Sequence, residues 1–144
     1  MKPEEKARII IDRMLNDAGW EVVDRNHYSP EVSAIAVEEG LLKGNREADY
    51  LLFLNGKAVG VLEAKKESVS IYSEFVADQA EKYTRGVPHW CQAWMNPLPL
   101  VYLSNGRELL FRDTRDVDSE YISLNKIHSP KEIVKLLGLK DDFA

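Results

Sequence analysis

The apolar positions of this chain recur with two different periods, and the changes between them predict its elements. From Pro3 to Ala18 they recur every three or four residues, which predicts an amphipathic helix that ends at Gly19. Two more helices are predicted at residues 71–83 and 130–137, the last capped by Ser129 and ended by Gly138. Short apolar runs predict strands at residues 20–23, 32–37, 49–54, 58–65, 90–95, 100–103 and 108–112, with a loop at residues 40–44. This order of elements predicts an α/β fold with a mixed β-sheet flanked by α-helices.

The turn between the two most apolar strands is the clearest local signal. Asn55 and Gly56 both tolerate a positive φ and therefore predict a hairpin turn. Asp49 begins the strand before this turn, and Glu63 lies near the end of the strand after it. If the loop consists of Asn55, Gly56 and Lys57, the two acids face each other directly, with Cβ atoms about 4.5–5.5 Å apart. A register shift of one residue would put them on opposite faces of the sheet.

These residues predict a metal-dependent site. Two carboxylates held close together repel each other unless a cation lies between them, and Mg²⁺ commonly takes one or two carboxylates with waters and a phosphate. The backbone carbonyl of Ala64 is a candidate for a further metal ligand. Lys65 follows Glu63 by two residues, so both side chains leave the strand on one face. An ammonium group there could position or deprotonate a water, or stabilise charge on a phosphate.

A structural interpretation competes with this one. A Glu and a Lys two residues apart on a strand usually form a solvated ion pair that contributes little to stability. The apolar residues that precede this pair, Val59, Val61 and Leu62, favour a site at the end of a buried strand instead.

Three segments resemble a known family. Residues 46–53 with residues 56–66 resemble the core of PD-(D/E)XK nucleases, and more narrowly the N-terminal nuclease domain of the restriction subunit of type I restriction-modification enzymes. Ala48 stands where the motif's name has proline. Gln79 and Tyr83 match a Gln-x-x-x-Tyr motif on the following helix, and residues 98–113 resemble the strand pair that closes the sheet. The resemblance covers most of the chain from Glu38 onward.

The resemblance implies a restriction-endonuclease-like fold and a role for each motif residue. Asp49 and Glu63 would bind Mg²⁺, and Lys65 would complete the catalytic core. Gln79 and Tyr83 would support the site or contact the DNA backbone. In the competing interpretation, Tyr83 packs in the core and Gln79 makes a local hydrogen bond. Asp12 or Glu4 on the first helix could add a metal ligand, and nothing in the sequence selects between them.

The resemblance also implies a larger assembly. Residues 1–144 would form a single nuclease domain, an N-terminal fragment of a longer chain whose helicase-type motor domains use ATP to translocate double-stranded DNA. Its partners would be methyltransferase and specificity subunits. The chain itself has no Gly-x-x-x-x-Gly-Lys-Ser/Thr loop for ATP.

Composition narrows the alternatives. A length of 144 residues suits one domain, and the single Cys91 excludes an internal disulfide. No apolar run is long enough to span a membrane, so we expect a cytoplasmic protein. The net charge of −5 is unusual for a DNA-binding domain, which suggests either acids clustered at a metal or DNA held by other domains. Two other functions stay open: a docking or DNA-binding module that lacks catalysis, and a free-standing repair or junction-resolving nuclease.

Overall fold

The computed structural model describes residues 3–38, 41–42, 46–47, 50–87 and 89–139. Within these ranges the chain forms three helices and ten strands in the order expected of an α/β fold. The helices are α1 (Pro3–Ala18), α2 (Glu74–Tyr83) and α3 (Pro130–Leu137). The strands are β1 (Glu21–Asp24), β2 (Ala34–Glu38), β3 (Leu41–Leu42), β4 (Arg46–Glu47), β5 (Tyr50–Leu54), β6 (Lys57–Ala64), β7 (Gln92–Ala93), β8 (Leu100–Ser104), β9 (Leu109–Asp113) and β10 (Ile122–Ser123).

The main sheet is mixed, as the sequence predicts. Its described strands follow the order β1-β2-β5-β6-β8-β9-β10, with β7 also paired to β6, while β3 and β4 form a separate pair. β6 runs parallel to β8 and antiparallel to β5, so the strand that carries Glu63 lies in the middle of the sheet. Among the described residues, no helix is long and apolar enough to cross a membrane.

Each face of the sheet is covered by different helices. One core joins Ile11 and Leu15 of α1 and Ile133 of α3 to the sheet, and the other joins Val76 and Ala80 of α2 to it. Because side chains alternate along a strand, Leu62 of β6 enters the first core while Val61 enters the second. Both neighbours are fully buried, which explains why this strand is apolar without alternation.

The hairpin between β5 and β6 differs from the prediction in a way that matters for the site. Leu54 pairs with Lys57, so the loop has two residues, Asn55 and Gly56, with φ values of 49° and 79°. The predicted Asn55-Gly56 turn is confirmed, but the loop lacks the third residue, Lys57, that was the condition for Asp49 and Glu63 to face each other. Phe53 pairs with Ala58 but Leu52 pairs with Gly60, so Val59 is an extra residue in β6, a β-bulge. The bulge shifts the register by one residue, and Tyr50 consequently pairs with Leu62, as it would after a three-residue loop.

Three other predictions need correction. The second helix begins at Glu74 rather than residue 71, because the Ser73 hydroxyl accepts a hydrogen bond from the backbone of Phe75 and caps it. Residues 41–42, inside the predicted loop, form β3. Of the strand predicted at residues 90–95, only Gln92–Ala93 pair with the sheet. Trp90 instead packs its ring against Tyr28 and Phe53, so its apolar character reflects an aromatic cluster.

The third helix agrees with its prediction. Ser129 accepts a hydrogen bond from the backbone of Glu132, and the Glu132 carboxylate accepts one from the backbone of Ser129. This capping box begins α3, and Gly138 ends it in a left-handed conformation with φ of 71°.

Candidate active site

Glu63 and Lys65 lie at the end of the central strand β6. Glu63 pairs with Leu103 of β8, and Glu63 is only 2% exposed. One residue beyond the end of the strand, the backbone N–H of Lys65 donates to the carbonyl of Ser104 over 2.8 Å. The neighbouring strand therefore holds the backbone of both residues in place.

The two side chains form an ion pair. Nζ of Lys65 lies 3.1 Å from Oε1 of Glu63, and the side chains are 25% and 3% exposed respectively. A carboxylate so far removed from water is costly to keep charged, and a nearby ammonium group offsets part of that cost. The pair is thus unlike the solvated surface ion pair of the competing interpretation, because its acid is buried and only its lysine reaches solvent.

Two residues of helix α2, Gln79 and Tyr83, continue a chain of hydrogen bonds that begins at Lys65. Nζ of Lys65 donates to Oε1 of Gln79 over 3.2 Å, and Nε2 of Gln79 donates to the hydroxyl of Tyr83 over 3.3 Å. Gln79 and Tyr83 are one helical turn apart, so they share a face of α2. Tyr83 is 7% exposed and belongs to the core beneath the helix. The structure therefore brings Glu63, Lys65, Gln79 and Tyr83 together, while their roles in catalysis stay predictions.

For Asp49 and Ala64, the other two predicted site residues, the structure shows less. Asp49 lies outside the described residues. The residue after it, Tyr50, pairs with Leu62, the residue before Glu63. Ala64 is half-buried between Glu63 and Lys65 and pairs with Ser104. The role of its carbonyl group as a metal ligand stays a prediction.

The sequence left the first-helix acid unassigned, and the structure shows what Asp12 does. The Tyr50 hydroxyl donates to Oδ1 of Asp12. Burial raises the pKa of Asp12, and the hydrogen bond from Tyr50 opposes that rise. Burial also raises the pKa of Tyr50, and the Asp12 carboxylate raises it further. Tyr50 is fully buried in the core beneath α1, whereas Lys65 contacts α2, so Asp12 is engaged on the other face of the sheet.

A second ion pair, between Arg8 and Glu38, lies beside Tyr50. Nη1 of Arg8 lies 3.3 Å from Oε1 of Glu38, and the Arg8 guanidinium lies 6.0 Å from the centre of the Tyr50 ring. Glu38 is the direct cross-strand partner of Tyr50. The side chain of Glu4, the other candidate on α1, lies outside the described side chains. Within the part of the chain that the structure describes, no three His, Cys, Asp or Glu residues are arranged to hold a metal ion.

The turn between β8 and β9 contains a buried polar residue, Asn105, whose burial the sequence did not predict. Asn105 is 2% exposed and makes four hydrogen bonds through its side chain, one of them to the connection between β6 and α2. The Asn105-Gly106 pair indicates a turn from sequence alone. Burial of the asparagine side chain has no local signal, because it depends on the adjacent connection.

Comparison with known proteins gives consistent matches. Residues 25–137 match the family model described as the second domain of the type I restriction enzyme EcoKI endonuclease subunit. The type I restriction enzyme EcoKI endonuclease subunit of Escherichia coli strain K12 is 24% identical over 185 residues, covering 94% of this chain. The chain spans only 16% of that relative's length.

A solved structure shares the fold. It is the structure of a fragment described as an HsdR subunit of a type I restriction enzyme from Vibrio vulnificus YJ016. It aligns with a TM-score of 0.61 and 23% identity over 98% of this chain and 27% of its own. The family match extends over most of the chain and includes Glu63, Lys65, Gln79 and Tyr83. The chain therefore belongs to the family of the EcoKI endonuclease subunit second domain, an HsdR-type endonuclease domain of type I restriction enzymes.

Proposed function

We propose that this chain is a magnesium-dependent endonuclease domain that hydrolyses phosphodiester bonds of double-stranded DNA within a type I restriction enzyme. The observation that supports this most directly is the buried Glu63 carboxylate beside the Lys65 ammonium, which Gln79 holds from α2. A buried acid next to a positioned lysine at the end of a central strand is an arrangement suited to chemistry more than to stability. Membership of an endonuclease-subunit family agrees with this proposal.

The donor groups at this position suit magnesium. Carboxylate and carbonyl oxygens are the ligands that Mg²⁺ prefers, with waters and phosphate completing its coordination. In this proposal Asp49, Glu63 and the carbonyl of Ala64 hold the ion. When bound, the ion supplies a Lewis acid that favours ionisation of a coordinated water and offsets charge on the phosphate.

The protein's own residues position the reacting groups. In this proposal the Lys65 ammonium donates a hydrogen bond to a phosphate oxygen, where it offsets the developing negative charge, or to the oxygen of the attacking water, which it positions. Gln79 limits the movement of Nζ by accepting its hydrogen bond, and Tyr83 orients Gln79 by accepting from Nε2. Tyr83 is anchored in the core, so the chain of contacts ends on a rigid group. Pre-organisation of this kind lowers the reorganisation needed during the reaction.

DNA delivery belongs to the rest of the enzyme in this proposal. The domain has a net charge of −5, which opposes tight binding to DNA without help. The chain spans 16% of its E. coli relative, which leaves room for other domains in the same subunit. We propose that an ATP-driven translocase brings the DNA, and that methyltransferase and specificity subunits select where the enzyme starts.

Metal binding is the first test. Titration of Mg²⁺ or Mn²⁺ into the chain by calorimetry should show a site that Glu63→Gln and Asp49→Asn each abolish, because both changes remove a charged ligand. Glu67→Gln is a matched control, since its side chain is 60% exposed and pairs only weakly with Arg107 at 3.7 Å. Binding that is equal in all variants would place the metal elsewhere and would favour a non-catalytic docking module.

Cleavage is the second test, made in the intact endonuclease subunit with its partner subunits, ATP and Mg²⁺. We expect Glu63→Gln to abolish DNA cleavage while ATP hydrolysis continues, because the two activities use different domains. A Glu63→Gln enzyme that cleaves DNA normally would contradict the proposal. Cleavage by the 144-residue chain alone would instead favour a free-standing nuclease.

A further inference from the structure

Asn105 is a buried polar residue one strand away from the candidate active site. It follows Ser104, the last residue of β8, and Ser104 pairs with Ala64 at the end of β6. Asn105 is only 2% exposed, which is uncommon for an asparagine in a turn. A buried amide needs hydrogen bonds for both its oxygen and its nitrogen, so its partners show what it does.

The oxygen of Asn105 holds its own turn. Oδ1 accepts hydrogen bonds from the backbone N–H groups of Arg107 over 3.0 Å and Glu108 over 2.9 Å. Backbone N–H groups only donate, so these two contacts identify the oxygen and leave Nδ2 on the other side. This half of the side chain acts locally, as asparagine commonly does in turns.

The nitrogen of Asn105 reaches a different segment. Nδ2 donates to the carbonyl of Val69 over 3.0 Å and to Oε1 of Glu108 over 3.4 Å. Val69 belongs to the connection between β6 and α2, residues 65–73, and lies 36 positions from Asn105 in sequence. The side chain therefore joins the β8–β9 turn to the connection that follows the candidate catalytic lysine.

Two consecutive residues, Ser104 and Asn105, hydrogen-bond to this connection, and the ion pair of Glu67 with Arg107 and the hydrogen bond of Tyr72 with Glu108 add contacts to the same turn. The backbone N–H of Lys65 donates to the Ser104 carbonyl at the start of the connection, and Val69 accepts from Asn105 near its middle. Between them Val69 donates to the carbonyl of Lys66, which closes a tight turn. Helix α2 begins at Glu74, so the path from Val69 to Gln79 is short and mostly helical.

We propose that Asn105 is a positioning residue for the active site, which holds the connection between Lys65 and α2 so that Gln79 meets the Lys65 ammonium. Asn105 contacts neither of these residues and acts through the backbone of Val69. The inference rests on the proposed nuclease function for its effect on cleavage, but its structural effect can be measured without any activity.

Two substitutions separate this role from simple turn formation. Asn105→Asp keeps an oxygen for the N–H groups of Arg107 and Glu108, but replaces the donor to Val69 by a second oxygen. Asn105→Ala removes both functions. If Asn105 only forms its turn, the Asp variant should disturb at most the β8–β9 turn, where its carboxylate meets that of Glu108, and should keep the contact between Lys65 and Gln79. If it positions the connection, both variants should lose the contact between Lys65 and Gln79.

The experiment has a spectroscopic readout and a kinetic one. In NMR spectra of the chain, we expect Asn105→Asp to shift the side-chain amide signal of Gln79 and to speed amide exchange in residues 66–73, while exchange in α3 is unchanged. In the intact subunit we expect kcat for DNA cleavage to fall about tenfold or more with little change in KM. Asn125→Asp adds the same charge at an exposed asparagine and should change neither readout.

The outcomes separate this inference from the proposed function. An Asp variant with an unshifted Gln79 signal and wild-type exchange would overturn the positioning role, whatever the cleavage assay shows. A uniform rise of exchange throughout the chain would also overturn it, because it would indicate a general loss of stability. A shifted Gln79 signal with local exchange in residues 66–73 supports the positioning role even if the wild-type enzyme proves unable to cleave DNA, a result that would contradict only the proposed function.

Discussion

Lys65 donates a hydrogen bond from Nζ to Oε1 of Gln79 over 3.2 Å, although the two residues lie 14 positions apart in the sequence. The same Nζ lies 3.1 Å from Oε1 of Glu63. Ordering a lysine side chain costs up to about 2 kcal/mol in lost conformational freedom. Two partners, one on β6 and one on the facing helix, therefore restrict Lys65 at some entropic cost, which agrees with the catalytic role proposed for it.

The charge of Lys65 should be essential for cleavage. We expect Lys65→Gln to lower kcat by about a hundred- to a thousandfold, as removal of one pre-organised donor does in other active sites. The control is Lys57→Gln, at the exposed opposite end of β6. Both variants are compared with the wild type by measuring kcat for DNA cleavage in the intact subunit. If both lost activity equally, the effect would be one of general charge and not of Lys65.

The hydrogen bond between Tyr50 and Asp12 should stabilise the fold. Tyr50→Phe removes a donor from a partly buried carboxylate, and we expect a loss of about 1–3 kcal/mol in the free energy of unfolding. Urea denaturation of the Tyr50→Phe and Asp12→Asn variants and of the double variant measures the coupling between them. Additive losses would show that the two side chains act independently.

Gly60 should tolerate no side chain. A Cβ atom built there would lie 2.7 Å from the Leu100 carbonyl oxygen and 2.9 Å from the Leu100 Cβ, so Gly60→Ala must push β6 away from β8. We expect a loss of about 1–3 kcal/mol in unfolding free energy, together with weaker binding of Mg²⁺ at the site proposed around Glu63.

Gly138→Ala is the comparison for this variant. Its Cβ would meet nothing within 4 Å, so only the left-handed backbone with φ of 71° opposes it, at roughly 1–2 kcal/mol. Denaturation and metal titration should both be applied to the two variants. Metal binding that weakens equally in both would contradict a specific effect of the β6–β8 spacing.

His128 should make stability depend on pH. Burial lowers the pKa of His128 below 6.5, and Nδ1 lies 2.7 Å from the Tyr102 hydroxyl, whose pKa burial raises well above 10. In the tautomer with the proton on Nε2, Nδ1 accepts from this hydroxyl, and protonation of Nδ1 removes that acceptor. Because the unfolded state binds the proton more tightly, stability should fall as the pH drops from above 6.5 toward the lower folded pKa.

The measurement compares unfolding free energies at about pH 7.5 and about pH 5.5, on either side of the ordinary histidine pKa. His128→Asn keeps an acceptor for Tyr102 without titrating, so its stability should change less between the two conditions than that of the wild type. His89→Gln, at an exposed position, should keep the wild-type dependence. An unchanged pH dependence in His128→Asn would assign the effect to other groups.

Elements with short-range signals could be predicted from sequence. The cap of α3 depends on Ser129 and Glu132, which bond to each other, and its end depends on Gly138, whose backbone N–H donates to the carbonyls of Val134 and Lys135. The Asn55-Gly56 turn depends on the positive φ values of those two residues. The strand predicted at residues 90–95 was too long because an apolar residue in it packs against residues that are distant in the sequence. Trp90 contacts Tyr28 and Phe53, and nothing near it in sequence distinguishes that cluster from a strand.

By itself, the sequence determined the strand that carries Glu63 and Lys65 and the helix that carries Gln79 and Tyr83, because period and spacing are local properties. Only the tertiary structure decided the register and the contacts. The bulge at Val59 aligns Tyr50 with Leu62, and the pairing of β6 with β8 brings Asn105 to Val69. These features depend on backbone groups of separate strands meeting in space, and side-chain pattern along one strand does not encode which strand lies beside it.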